Sequence, residues 1–165
     1  MDLADEIERI EKEEAELELP RLSDTDIWTL GSRLREQSIK RGGSIAIQII
    51  RGGVNAFSHL AGRATADDLD WARRKAAVSQ RFDRSRLRMA LMLEAKRKTL
   101  SERYAIPEAE FAAAGGAMPL RVRGVGLVGA VAVSGFSESE DHNLVCEALA
   151  ALIASQAVTG PGDVK

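Results

Sequence analysis

The segment AGGAMPLRVRGVGLVGAVAVSGFSESEDHNLVCEAL, from Ala114 to Leu149, decides the fold. MPLRVR (Met118–Arg123) and VGLVGAVAV (Val125–Val133) have the β-branched, apolar content of strands, and Gly124 between them permits a tight reversal. Ser134-Gly135 then turns the chain, and Ser137 with Glu140 has capping-box spacing, each side chain reaching a free backbone N–H. The helix that opens there has Leu144, Val145, Ala148, Leu149, Leu152 and Ile153 on a wide apolar stripe. A hairpin followed by an amphipathic helix must bury both faces against further elements.

Those elements lie upstream. SIAIQII (Ser44–Ile50) and VNAFSHL (Val54–Leu60), separated by Arg51-Gly52-Gly53, read as a second β-hairpin. Ser23 with Asp26 starts a helix to about Lys40 whose inward positions are Ile27, Leu30, Leu34 and Ile39, stopped by Gly42-Gly43. Thr65 with Asp68 opens another, in which Trp71, Lys75, Val78 and Phe82 share a face. Ser85 caps a further helix, Leu87 to Tyr104, with Leu91, Ala95 and Leu100 or Tyr104 on one side. Pro107 suits a short helical piece before Gly115-Gly116. The order helix, hairpin, helices, hairpin, helix predicts an α+β single domain with an antiparallel sheet flanked by helices.

At 165 residues, 45% of them hydrophobic, the chain supports one domain with a core. The acidic start is the reverse of a secretory n-region, and the apolar run Val125–Val133 is far shorter than the roughly 20 residues of a membrane span. The expectation is a cytoplasmic protein with no membrane partner. The single cysteine, Cys146, allows no intrachain disulfide, and packing inside the last helix is its default role. Charge is uneven: residues 1–19 hold nine acids and two bases, residues 33–103 seventeen bases and seven acids. The acidic segment spaces Leu3, Ile7, Ile10 and Leu17 helically and is ended by Pro20, so residues 1–22 read as an amphipathic helix. It would dock on its own chain or on a neighbouring subunit. Residues 23–155 then form the domain, and 156–165, with Gly160-Pro161-Gly162, a flexible tail.

Two segments carry a family resemblance. GRATADDLDWARRKAAVSQRFDRS (Gly62–Ser85) has a glycine-threonine turn (Gly62, Thr65), Trp71, the basic triplet Arg73-Arg74-Lys75, then Phe82 and Ser85. With the C-terminal segment above, it resembles the haem-degrading (HbpS/GlcG-like) domain family, in its branch of uncharacterised intracellular proteins. It departs from the pattern at Arg63-Ala64, where a Pro-Gly-Thr type of turn is expected, and at Arg86, where a second serine is common. The resemblance spans roughly residues 23 to 153. It implies a profilin-like sheet, a homo-oligomer, and haem binding or degradation in some members.

Site candidates follow from residue chemistry. Gly124-Val-Gly126-Leu-Val-Gly129 matches the dinucleotide-binding fingerprint in letters only, because Val131 and Val133 continue a strand where a helix must start. Its glycines are read as thinning a sheet face for a helix or subunit. Ser134, Gly135, Asp141 and His142 surround a helix N-terminus, which favours an anion such as a carboxylate or propionate. Arg74 or Lys75 would balance its charge beside Trp71. His59 and His142 are the only histidines, and either suits iron if haem binds. Against nucleic acid for the basic stretch Arg73–Arg88 stand the 4% aromatic content and the lack of a recognised binding motif. A solvated face or ion pairs to acidic helices of a neighbour explain it better, with some of the set left to line a pocket for an acidic ligand. The resulting expectation is a homo-oligomer that binds haem or another anionic small molecule. The alternative is a non-catalytic adaptor for a protein partner, and an active haem-degrading enzyme stands third.

Overall fold

Strands β1 (Ile45–Arg51), β2 (Val54–Ala61), β3 (Ala117–Val122) and β4 (Gly126–Ser134) form one antiparallel sheet in the order β2-β1-β4-β3. The computed structural model describes residues 1–112 and 115–158. Both hairpins stand where the glycines place them. Gly52 and Gly53 have φ of 60° and 77°, and Gly124 has φ of 76°, conformations that only glycine adopts without strain. The fingerprint glycines therefore serve strand geometry. Gly124 and Gly126 shape the turn, and Gly129 admits the neighbouring strand, since a Cβ there would lie 1.8 Å from the Ile50 carbonyl oxygen. The expected close packing of a helix on these glycines is not what they provide.

Each face of the sheet is covered by residues of a different size. Alternation along β1 sends Ile45, Ile47 and Ile49 to one face, where they pack with Leu30 and Leu34 of α2 (Asp24–Lys40) and Leu144, Ala148 and Leu149 of α6 (Glu138–Val158). On the other face, Ala72 and Ala76 of α3 (Ala66–Phe82) meet Ala117, Ala130 and Ala132. Methyl against methyl lets this helix approach the sheet closely. A third cluster (Val78, Met89, Leu93, Leu100 and Ile106) joins α3 to α4 (Arg86–Ala95) and the short α5 (Leu100–Tyr104).

The N-terminal helix α1 (Leu3–Glu16) docks on its own chain. Ile10 is fully buried, and Glu14 accepts a hydrogen bond from the Ser85 backbone N–H (2.6 Å) and an ion pair from Arg88 (2.9 Å). The helix stops before Pro20, because Leu19 leaves it to pair with β3: its N–H donates to the Arg121 carbonyl and its own carbonyl accepts from Arg123, both at 2.8 Å. That segment shields one edge of the sheet, and β2 remains the open edge.

Several helix expectations change. Ile39 is 47% exposed, on the outer face of α2. The single helix from Leu87 to Tyr104 is two: α4 ends at Ala95, Arg97 takes a positive φ of 51°, and Thr99 with Glu102 makes a new capping box for α5. The buried side is Met89, Leu93 and Leu100, while Ala95 is exposed. After Pro107 the described residues 108–112 make a turn and no helix. Helix α6 runs through Val158 with Gln156 buried, past the expected start of the tail at Gln156, and residues 159–165 lie outside the described residues.

Replacing Gly129 by alanine forces a Cβ into the β1 backbone, which cannot rotate away as a side chain can. The expected destabilisation lies toward the upper end of roughly 1–3 kcal/mol for overpacking. It would be read as a lower urea midpoint with an unchanged slope.

Candidate functional site

Close approach of α3 to the sheet carries Lys75 across the end of β4. Its ammonium, on a residue only 4% exposed, donates to the Val133 carbonyl (3.0 Å) and to Asp141 Oδ2 (3.2 Å) at the start of α6. Asp141 also accepts from the backbone N–H groups of Phe136 (3.0 Å) and Gly135 (3.4 Å). Burial pulls Lys75 below the usual lysine range, against the attraction of Asp141. Burial likewise raises Asp141 above the usual carboxylate range, against Lys75 and the two N–H donors. The strand-to-helix turn thus already holds an anion: the protein's own carboxylate.

Around this pair Trp71, Asp68, Lys75, Ser134, Gly135, Glu138 and Asp141 line a polar cavity of about 300 Å³. Five of the residues singled out from the sequence, Trp71, Lys75, Ser134, Gly135 and Asp141, meet there. Arg74 lies on the far side of the Trp71 ring, its guanidinium 3.9 Å from the ring centroid and 3.0 Å from Asp70. Trp71 and Arg74 share a second cavity of about 420 Å³, with an apolar floor from Leu93, Leu100 and Phe111, and Lys98 at its rim. Ala112 closes the wall, and its carbonyl accepts from Nε of Arg86.

Arg86, which the sequence offers only as one of the basic stretch, was not singled out as a site residue. The side chain is fully buried, and its two terminal nitrogens have no hydrogen-bond partner among the described residues. Burial pushes its pKa down to about 10, opposed by the Glu138 carboxylate. The signal was present: an arginine stands where related patterns carry serine, immediately after the Ser85 cap.

The two histidines are elsewhere. His142, 2% exposed, points from α6 toward α1, where Nε2 bonds Glu13 (2.9 Å) and lies 3.4 Å from Cys146 Sγ. It is therefore no part of the cavity at Asp141, one residue before it. His59 lies on β2 at the opposite side of the sheet, half-buried in a cleft of about 590 Å³ with Trp28, Phe57, Arg35 and Glu36. Phe57 stands between the two other rings, 5.9 Å from Trp28 and 6.5 Å from His59. The basic stretch is largely paired: Arg73 with Asp70 and Glu110, Arg74 with Asp70, and Arg88 with Glu11 and Glu14.

A four-stranded antiparallel sheet flanked by helices, with cavities at one end that carry charges of both signs, defines an α+β domain. Residues 22–150 match the family described as haem degrading protein HbpS-like, and the chain belongs to it. A UPF0303 protein of Burkholderia mallei is 40% identical over 164 residues, covering 97% of this chain and 99% of that one. Among solved structures, the Ybr137w protein superposes with a TM-score of 0.83 at 24% identity, covering 89% of this chain and 87% of that chain. A complex of PduOC with haem superposes with a TM-score of 0.69 at 19% identity, over 79% and 94% of the two chains. These likenesses establish the fold. Among the described residues no helix is long and apolar enough to cross a membrane.

Lys75→Met should cost about 3–5 kcal/mol at neutral pH, because it leaves Asp141 buried without its counter-ion. The sign with pH follows from linkage. Without Lys75 the folded-state pKa of Asp141 rises further, so below it the native state binds a proton that the unfolded state lacks. The deficit of the variant should therefore shrink as pH falls toward the unfolded carboxylate range, measured by urea unfolding across pH. A deficit that grows on acidification would contradict this account.

Proposed function

We propose that this protein binds a small amphipathic anion of the haem class, with its apolar body on the Leu93–Leu100–Phe111 floor and its acidic groups toward the cations around Trp71. The observation that carries the reading is Arg86, a buried cation held on the carbonyl of the cavity-wall residue Ala112, whose terminal nitrogens have no hydrogen-bond partner among the described residues. Buried charge is costly unless paired, and such a group marks a place where an anion is missing. Arg74 and Lys98 line the cavity whose wall Ala112 closes, together with the acids Glu94 and Glu108. The volume of about 420 Å³ lies within the roughly 300–1,000 Å³ of small-molecule sites. The Asp141 turn stabilises the wall and is not itself the anion's seat.

Iron ligation would be a separate matter. A second reading places haem in the β2 cleft, because His59 there is half-buried and flanked by Phe57 and Trp28, whereas His142 is already bonded to Glu13. The two readings differ in the variant that abolishes binding. Haemin titrated into a Trp28→Phe background should saturably quench Trp71. Arg74→Ala should weaken binding roughly 10- to 100-fold, the value of a charged hydrogen bond, and His59→Ala should leave it unchanged. Loss with His59→Ala alone transfers the site to the β2 cleft, and non-saturating uptake indifferent to both variants removes the ligand-binding reading.

We further propose that copies of the chain associate through the open β2 edge. Trp28 (68% exposed), Val54 (66%) and Leu60 (41%) lie uncovered there. Light scattering after size exclusion should give a multiple of the chain mass that falls in Val54→Lys/Leu60→Lys. A monomeric wild type would end this part of the proposal.

A further inference from the structure

Between α1 and α6 lies a group of donors that the cavities around Trp71 do not use. Glu13 Oε2, His142 Nε2 and Cys146 Sγ all lie within 4.8 Å of one another. His142 and Cys146 are one helical turn apart on α6, so both side chains project from one face toward Glu13 on α1. His142 and Cys146 are 2% and 8% exposed, and Glu13, with a 29% exposed side chain, forms the way in from solvent.

The geometry excludes one familiar use of these residue types. In a thiol–imidazole–carboxylate relay the two partners engage opposite ring nitrogens, so that a proton passes through the ring. Here both approach the same atom: Nε2 is 2.9 Å from Glu13 Oε2 and 3.4 Å from Cys146 Sγ. Three donors converging on one point is the arrangement of a metal site. Bonds of about 2.0–2.3 Å at tetrahedral angles would separate the donors by about 3.3–3.6 Å. The two spacings from Nε2, 2.9 and 3.4 Å, need only a few tenths of an ångström of opening, and the third pair lies within 4.8 Å. A thiolate with an imidazole selects the zinc class of divalent ions over calcium or magnesium.

We propose that Glu13, His142 and Cys146 form a three-ligand site for a zinc-class divalent cation, clamping the N-terminal helix to the last one. The metal replaces the hydrogen bonds of this cluster, and the proton of the Cys146 thiol leaves to solvent as the sulfur–metal bond forms. One thiolate and one carboxylate then balance the dication. Arg9, 3.9 Å from Glu13, and buried Glu14 are the nearest further charges, of opposite sign. The fourth position is left to water.

Cobalt(II) is the direct probe. The chain has one cysteine, so a thiolate-to-cobalt charge-transfer band can come only from Cys146. Full-length, chelator-treated protein should develop that band with one cobalt per chain, and zinc should bleach it. Glu13→Gln should weaken cobalt binding at least about tenfold, in line with the sensitivity of metal sites to their supporting groups, and Cys146→Ser should lose the band. Zinc should raise the melting temperature of the wild type and not that of Cys146→Ser. A folded wild type with no charge-transfer band in excess cobalt overturns the proposal whatever the variants do, as does equal stabilisation of Cys146→Ser by zinc.

Discussion

An α-helix approaches a sheet as closely as its side chains allow, and α3 presents Ala72 and Ala76 to the alanines 117, 130 and 132. Everything at the cavity end depends on that short distance. A lysine on the adjacent turn is long enough to cross the end of β4, and with bulkier residues beneath the helix its ammonium would stop short of Val133 and Asp141. Once buried there, the charge needs a partner, and Asp141 meets the need from the first turn of α6. The same carboxylate ties down the N–H groups of Gly135 and Phe136. Helix, sheet and final helix are therefore locked by one ion pair whose position is set by methyl-sized packing. Such a pair adds little net stability compared with apolar residues, but removing one half is costly. Its contribution is to fix where the elements meet.

The charge asymmetry has a structural resolution. Nine acids in the first nineteen residues would repel one another on a free helix. Docked, the inner row meets the basic middle of the chain: Glu14 is buried against Arg88 and the Ser85 N–H, with Arg121 at 3.9 Å. Arg121 in turn bonds Asp83, the left-handed residue closing α3. Arg88 is the arginine that joins the acidic helix to the basic stretch, while Arg73 and Arg74 pair with Asp70 on their own helix. Arg86 stands apart from this exchange, because its surroundings offer a carbonyl and a carboxylate at longer range and no bonded counter-ion.

Local chemistry was readable in the chain; its orientation was not. Capping boxes at Ser23–Asp26 and Thr65–Asp68, and hairpin glycines 52, 53 and 124, act over three or four residues and declare themselves in sequence. The break between α4 and α5 was hidden because Arg97, rather than glycine, takes the left-handed conformation, leaving Thr99–Glu102 as the only hint. His142 was misplaced for a different reason. Consecutive helical residues point about 100° apart, so Asp141 and His142 cannot serve the same cavity, and which of them does depends on packing. Glu13, 129 residues away, becomes its partner only when α1 folds back.

The position of Asp141 also changes what a helix N-terminus means here. Free N–H groups and the helix dipole attract anions in general, yet a side chain of the same turn has reached that place first and is held by a buried lysine. An external anion would have to displace it and leave Lys75 and Asp141 both rearranged, at the cost of the contact that locks α3 to α6. Arg86 imposes no such cost: its terminal nitrogens have no hydrogen-bond partner among the described residues, and Ala112, which it holds, forms the wall of the larger cavity. On the proposed function, the carboxylate works as scaffold and the Arg86 guanidinium as the electrostatic demand. An anion beside Trp71 would approach that charge through the Ala112 wall and leave the Lys75–Asp141 pair in place.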